Sequence, residues 1–278
     1  MKKAKKKLTF TKQSKKKYAV EINELKFNKA IEINYKHDLL VLKGQMVKEY
    51  NSCLIKFYKD NLLFLVGDSD DDTVKRLQRL IDNMGRRWKD RYDRMSEQQA
   101  KKVAVGVLRH VDNRWKAVQK GNPFLLKGTQ ELQQTTKIVQ AGIAENVSLI
   151  KSIPSKYHEQ ILGDVMRTVG VGGNVQELQE ALSKISKQTS KRIAFIARDQ
   201  TAKATALIDR QNAVDTGFTT GVWEKSIAGK THRKDHAEAD GKEFDISKGC
   251  LISGEYILPR MKPNCKCSYR LVIKFDEE

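Results

Sequence analysis

The chain has 278 residues, of which 39% are hydrophobic and 31% charged, so it is too apolar to be disordered throughout. Lys and Arg number 53 against 34 Asp and Glu, and the formal net charge of +19 favours a polyanionic partner: nucleic acid, an anionic membrane surface or an acidic protein face. No apolar run of membrane-spanning length occurs, the basic N-terminus lacks the apolar segment of a secretory signal, and 4 cysteines are too few for a disulfide scaffold.

The positive charge is concentrated in two blocks, the first of which is the N-terminus. Residues 1–17 carry no acidic residue and little apolar content, which predicts a basic, disordered arm. Such an arm either binds phosphates through mobile point charges or only keeps the protein soluble, and composition leaves both interpretations open. The lysines that we assign to DNA contact are Lys2, Lys3, Lys5, Lys6, Lys7, Lys15, Lys16 and Lys17.

The next part of the chain, residues 18–149, is predicted to be a helical region because Gly is rare and the first Pro is Pro123. Two helices are expected at about 20–35 and 38–65, followed by an acidic turn.

The second basic block, residues 73–120, lies within this helical region. Apolar residues recur there every three or four positions, which predicts two amphipathic helices that meet at Ser96. Trp88 and Trp115 belong to the apolar stripes, so we interpret them as core residues. The opposite faces carry arginines that we assign to sequence-independent DNA contact, namely Arg76, Arg79, Arg86, Arg87, Arg91 and Arg94.

Residues 150–278 combine helices with a small irregular module. Helices are predicted over 155–212, with Ser155 and Asn174 as N-caps. Residues 217–278 contain an apolar, β-branched run near each end and predict a small α+β module. The expected fold class is therefore mainly α, an extended helical N-terminal body with a small C-terminal α+β module.

Four separated motifs of this region resemble those of a known family. They are Arg192-Ile193-Ala194-Phe195-Ile196-Ala197-Arg198-Asp199, Gly221-Val222-Trp223, Arg233-x-x-His236-x-x-x-Asp240-Gly241 and Pro263-Asn264-Cys265-Lys266-Cys267. In this order and spacing, residues 150–278 resemble the domain of the phage Mu F-like minor head (head morphogenesis) proteins.

The resemblance implies a non-enzymatic virion protein, present in a few copies in the capsid interior or near the portal vertex, and in the host cytoplasm during assembly. Its expected partners are the portal protein or the major capsid protein and non-specific double-stranded DNA, without a membrane. The structural motif residues that it points to are Arg192, Arg198, Asp199, Trp223, Gly241 and Asn264. We expect Arg198 and Asp199 to pair with the C-terminal module.

Four side chains of the module offer nitrogen and sulfur ligands for one tetrahedral Zn²⁺, namely His236, Cys250, Cys265 and Cys267. However, Cys-x-Cys is shorter than the usual spacing in zinc modules, and in a strand its two thiols would point to opposite faces. We therefore expect no bound cofactor, with the cysteines as packing residues, and keep zinc as an alternative.

Two other functions stay open. A non-virion nucleic-acid-binding protein with a zinc-knuckle-like module would also account for the charge and the Cys/His cluster. A metal-dependent nuclease would use His236 and Asp240, but neither further ligands nor a hydrolytic motif accompany them. The resemblance favours the virion protein.

Overall fold

The computed structural model describes residues 19–61, 65, 71–123, 125, 132–226 and 233–274, and the basic arm of residues 1–17 lies outside them. The helices are α1 (Lys29–Asp60), α2 (Asp71–Gly121), α3 (Leu132–Gly170), α4 (Val175–Asp215) and α5 (Lys234–Glu238). The strands are β1 (Ala19–Asn23), β2 (Thr220–Glu224), β3 (Glu243–Asp245), β4 (Cys250–Ile252), β5 (Glu255–Ile257) and β6 (Ser268–Lys274). The predicted mainly α fold with a small C-terminal α+β module is confirmed. No helix within the described residues has an apolar stretch that would cross a membrane.

The first described element is a strand, so the helix predicted at 20–35 is wrong over its first half. β1 pairs antiparallel with β6, placing Ile22 opposite Leu271. α1 begins only at Lys29 and ends at Asp60 as one helix, without the break predicted before residue 38. The pairing partner of β1 lies some 250 residues away in sequence, and local periodicity carries no information about such a partner.

Two predicted N-caps lie inside longer helices. Ser96 is buried within α2, and its hydroxyl donates to the Asp93 carbonyl at 2.9 Å, so the chain continues as a helix. α3 likewise continues through Pro154 and Ser155. By contrast, the predicted cap at Asn174 is confirmed, because its side-chain oxygen accepts the backbone N–H groups of residues 176 and 177 at 2.8 and 3.0 Å.

The described residues divide into two compact units that are discontinuous in sequence. We call residues 29–105 and 141–200 the helical unit, and the described parts of 19–28, 106–140 and 201–274 the sheet unit. The predicted domains, by comparison, are contiguous, and that division stays a prediction.

The helical unit is held by apolar stripes on its helices. The buried stripe of α1 repeats every three or four residues and consists of Tyr35, Leu39, Leu42, Met46, Tyr50, Leu54 and Tyr58. Its aromatic residues reach other helices of the unit: the Tyr50 and Tyr157 rings meet edge to face at 5.2 Å, and the Tyr35 hydroxyl donates to Asn146 at 2.5 Å. Trp88 is also buried, as predicted.

The sheet unit is built around β6, because the strand order is β1-β6-β2-β3. Trp223 of β2 lies opposite Tyr269 of β6, and both side chains are buried. Gly221 lies under Phe244 of β3, whose ring would be only 2.7 Å from a Cβ at that position. The glycine therefore allows the aromatic ring to close the sheet face.

A buried carboxylate on α4 gathers the segments of this unit. Asp209 is fully buried and accepts hydrogen bonds from the Trp115 indole at 2.8 Å, the Leu25 backbone N–H at 3.2 Å and the Tyr269 hydroxyl at 3.2 Å. The Arg114 Nε lies 4.0 Å away. Burial raises the pKa of Asp209, while Arg114 and the three donors counteract the effect.

We predict that Asp209→Ala lowers the free energy of unfolding by about 3–5 kcal/mol, because buried donors and a cation lose their acceptor. Urea unfolding measures the loss. Asp215→Ala on the same helix is the control and should cost less than about 1 kcal/mol, since Asp215 accepts from the Gln211 side chain near the helix end. Equal losses in the two variants would remove the central role of Asp209.

A second buried acid follows β1. Glu24 is paired bidentately with Arg260 at 2.9 and 3.0 Å. Burial raises the pKa of Glu24 to about 7 against the opposing effect of Arg260. Because the pKa is higher in the folded than in the unfolded chain, the associated stability is fully present below about pH 4.5 and is lost as the pH rises through 7.

We therefore predict that wild type loses up to about 3 kcal/mol relative to Glu24→Gln between pH 4.5 and pH 7, since the Gln variant does not titrate there. Urea unfolding of both proteins across this pH range measures the difference. A difference that changes in the opposite direction would mean that Arg260 outweighs burial and lowers the pKa.

Candidate functional site

The Asp240-Gly241 motif closes the end of β2. The Gly241 N–H donates to the Trp223 carbonyl at 2.8 Å, and the glycine has a φ of +77°, which a side chain would strain. The Asp240 carboxylate accepts from the Lys225 backbone N–H at 2.8 Å and lies 3.3 Å from its ammonium group. These contacts give Asp240 a structural partner other than His236, with which the nuclease hypothesis pairs it.

His236 is placed by α5 in the interior of the sheet unit. Its side chain is only 3% exposed, and its ring packs edge to face against Trp223 at 5.2 Å. This packing against Trp223 holds the imidazole where it meets the segment that contains Cys265 and Cys267.

Cys265 and Cys267 both approach this imidazole. The Sγ atoms of Cys265 and Cys267 lie 3.4 and 3.7 Å from the His236 Nδ1, and the three ligand atoms are within 4.8 Å of one another. The strand conformation assumed for the two thiols does not apply, because residues 265–267 precede β6 in irregular chain. Asn264, with a φ of 58°, makes the turn before them, and the Cys265 N–H donates to the Lys262 carbonyl at 3.0 Å.

The two thiols differ in their tendency to ionise. The hydrogen bond from Cys267 to the Cys265 sulfur lowers the pKa of Cys265, and the same contact raises the pKa of Cys267. Of the two thiols, Cys265 is therefore the one that the contact favours in its ionised form.

Cys250 does not join the cluster. It is buried on β4, opposite Ile257 of β5, and burial raises its pKa. The predicted four-ligand set is thus reduced to three among the described residues, His236, Cys265 and Cys267.

The arginines predicted for DNA contact lie on one face of α2 in the helical unit. Arg76, Arg79, Arg86, Arg87, Arg91 and Arg94 are all exposed. At 100° per residue they fall within an arc of about 140°, along about 27 Å of helix. The face is therefore long enough to follow roughly eight base pairs of a duplex at 3.4 Å each.

Part of this charge is used within the unit. Arg87 is paired with Glu49, and Arg91 donates to the Gln45 side chain at 2.5 Å while its guanidinium lies 4.9 Å from the Trp88 ring. Among the described residues, no carboxylate lies within 4.0 Å of the side-chain nitrogens of Arg79 or Arg94. The guanidinium groups of these two arginines therefore face solvent without an acidic partner among the described residues. Arg86 is likewise exposed and donates to the Asn83 side chain.

A second basic face lies on α4 and was not predicted. Lys184, Lys187 and Lys191 are exposed at a helical spacing of three and four residues, and they line a shallow groove of about 440 Å³ with Glu180. The helical spacing of these three lysines is visible in the sequence. However, the net charge of the surrounding segment is low and gave no indication that its lysines cluster on one face.

The motif arginines and Asp199 occupy α4. Arg192 donates to the Ser152 hydroxyl on α3 at 2.7 Å, which ties two helices of the helical unit together. Asp199 is 9% exposed and Arg198 is half-buried. Their predicted pairing with the C-terminal module stays a prediction.

Residues 159–270 match the model of the family described as phage Mu protein F like protein. Over this segment the chain is similar to that family. The match includes His236, Cys265 and Cys267 and confirms the resemblance carried by the motifs, whereas the arginine face of α2 lies outside it.

One curated relative extends the likeness only slightly. A Haemophilus influenzae protein described as an uncharacterized protein is 31% identical over 143 residues, which are 51% of this chain and 31% of that protein. The chain thus spans about a third of the length of the relative that it matches. No solved structure matches the chain with comparable significance.

Trp223 is expected to be the main packing residue of the sheet unit, since its side chain is fully buried and its ring packs against both His236 and Phe244. We predict that Trp223→Ala lowers the free energy of unfolding by about 3–5 kcal/mol. Tyr256→Ala is the control, because Tyr256 is 63% exposed in the same unit. Urea unfolding measures both, and wild-type stability of the Trp223 variant would contradict the assignment.

Proposed function

We propose that the protein is a phage head morphogenesis protein, a minor capsid component present in a few copies near the portal vertex that also contacts the packaged DNA. The observation that carries this proposal is the match of residues 159–270 to the phage Mu protein F-like family. The portal protein or the major capsid protein is the partner that this role requires, and the role needs no catalytic group.

Contact with DNA is supported by the charge distribution. The six arginines of this α2 face are all exposed, and among the described residues Arg87 is the one of the six in a close ion pair with an acid. Guanidinium groups bind phosphate oxygens without reading the base sequence. A head protein beside packaged DNA needs this kind of contact, because the DNA that passes it has no fixed sequence.

The head role is tested by mass spectrometry of purified particles from wild-type phage and from phage that lacks the gene. We expect the protein in wild-type particles at a small, fixed ratio to the major capsid protein, and defective or empty heads without it. Its absence from particles, together with binding to nucleic acid in the cell, would support the non-virion alternative instead.

For DNA contact we predict that the triple variant Arg79→Gln, Arg86→Gln and Arg94→Gln binds duplex DNA more weakly than wild type. Each lost phosphate contact makes the dependence of log K on log salt less steep by about 0.9, so the triple variant should lose about 2–3 of the slope. Fluorescence anisotropy with two unrelated duplexes at several salt concentrations measures affinity, slope and sequence preference.

The matched control removes three charges from α4, in Lys184→Gln, Lys187→Gln and Lys191→Gln. An equal loss in this control would mean that overall charge, and not the arginine face, determines binding. A strong preference for one of the duplexes would contradict sequence-independent contact.

A further inference from the structure

The cluster of His236, Cys265 and Cys267 has no part in the role proposed above. All three side chains are wholly or partly buried, they come from two segments some thirty residues apart, and their ligand atoms converge within 4.8 Å. Cysteine sulfur and histidine nitrogen are the usual ligands of protein-bound zinc.

Hydrogen bonds to the imidazole account for only one of the two thiol contacts, although Cys267 also donates to the Cys265 sulfur. Both sulfurs approach the same atom, the His236 Nδ1, at 3.4 and 3.7 Å. A single ring nitrogen offers either one lone pair or one hydrogen, so it bonds well to only one of them. A metal ion between the three atoms would use the lone pair of the nitrogen and both sulfurs at once.

The distances are those of three corners of a tetrahedron. With Zn–N of about 2.0–2.1 Å and Zn–S of about 2.3 Å, tetrahedral angles place nitrogen and sulfur about 3.6 Å apart. We propose that His236, Cys265 and Cys267 bind one Zn²⁺ ion, whose fourth position is filled by water. A thiolate-rich, tetrahedral donor set with one imidazole is the set that Zn²⁺ prefers among common divalent ions.

The surroundings of the sulfurs suit bound thiolates. Backbone N–H groups of Cys267 and Arg260 donate hydrogen bonds to the Cys265 sulfur. The Cys267 sulfur is faced by the Ser226 backbone N–H. N–H groups of this kind hold and orient metal-bound thiolates from the second coordination sphere.

The indole of Trp223 adds an independent observation. Its Nε1 is buried and makes no hydrogen bond within the described residues, and the Cys267 sulfur lies beside it. A neutral Cys267 thiol is a weak acceptor, whereas a zinc-bound thiolate accepts strongly. Metal binding would therefore satisfy an otherwise unpaired buried donor.

The ion would tie α5 to the segment that leads into β6. α5 has only five residues and the neighbouring β3, β4 and β5 have three each, so backbone pairing in this part of the module is sparse. A structural zinc ion contributes its binding free energy directly to folding in such cases.

The test uses the full-length protein, purified under reducing conditions and analysed for metals. We expect one equivalent of zinc per chain and a lower melting temperature after chelation, restored by added Zn²⁺. Replacement by Co²⁺ should give the thiolate-to-cobalt charge-transfer absorption of a tetrahedral site with two sulfur ligands.

The variants His236→Ala, Cys265→Ser and Cys267→Ser should each lower zinc affinity roughly tenfold or more. Cys250→Ser and Cys53→Ser are the matched controls and should keep one equivalent, because neither thiol belongs to the cluster. Co²⁺ titration of each variant, with circular dichroism to verify folding, separates loss of a ligand from loss of the fold.

Three outcomes would overturn the proposal. The first is less than about a tenth of an equivalent of zinc in wild type, with melting unchanged by chelator. The second is equal zinc loss in Cys250→Ser, and the third is a Cys265–Cys267 disulfide found by mass spectrometry in the reduced preparation. Because elemental analysis requires no phage particle or DNA, its result is independent of the head role.

Discussion

The buried carboxylate of Asp209 is the interaction on which the sheet unit depends. It lies on α4 and accepts hydrogen bonds from the chain after β1 at Leu25, from α2 at Trp115 and from β6 at Tyr269. A buried carboxyl group without water has to be satisfied by directed hydrogen bonds, so each of these segments is held in position relative to α4. A hydrophobic residue here would fill the space but would not specify which segments meet.

Through β6, this constraint also determines where the cluster of His236, Cys265 and Cys267 forms. Tyr269 is the second residue of β6, and the strand is flanked by β1 and β2 on its two sides. Cys267 immediately precedes the strand, so fixing Tyr269 also fixes where the Cys-x-Cys segment begins its approach to His236. The same strand pair places Trp223 against the imidazole.

Sequence patterns were sufficient wherever structure is local. The apolar stripes of α2, the Asn174 cap and the two strands of the module could all be predicted, because neighbouring residues determine them. β1 was missed because its partner is β6, at the other end of the chain. Ser96 and Ser155 were predicted as helix N-caps from propensity, but packing of the long helices overrode this preference.

The candidate site shows the same limit. The residue types of the cluster were recognisable from the sequence. Whether Cys250 is its fourth ligand depends on the β4–β5 hairpin, and the spacing of the cysteines along the chain does not indicate that hairpin. The turn at Asn264, with its positive φ, brings both thiols to one side. The expectation that a strand would separate the thiols of Cys-x-Cys was itself wrong, because residues two apart in a strand lie on the same face. Because the cluster lies in the sheet unit and the arginines Arg79, Arg86 and Arg94 in the helical unit, the proposed metal binding and the proposed DNA contact rest on different sets of contacts. A variant that removes one of the two properties therefore leaves the other open to measurement in the same protein.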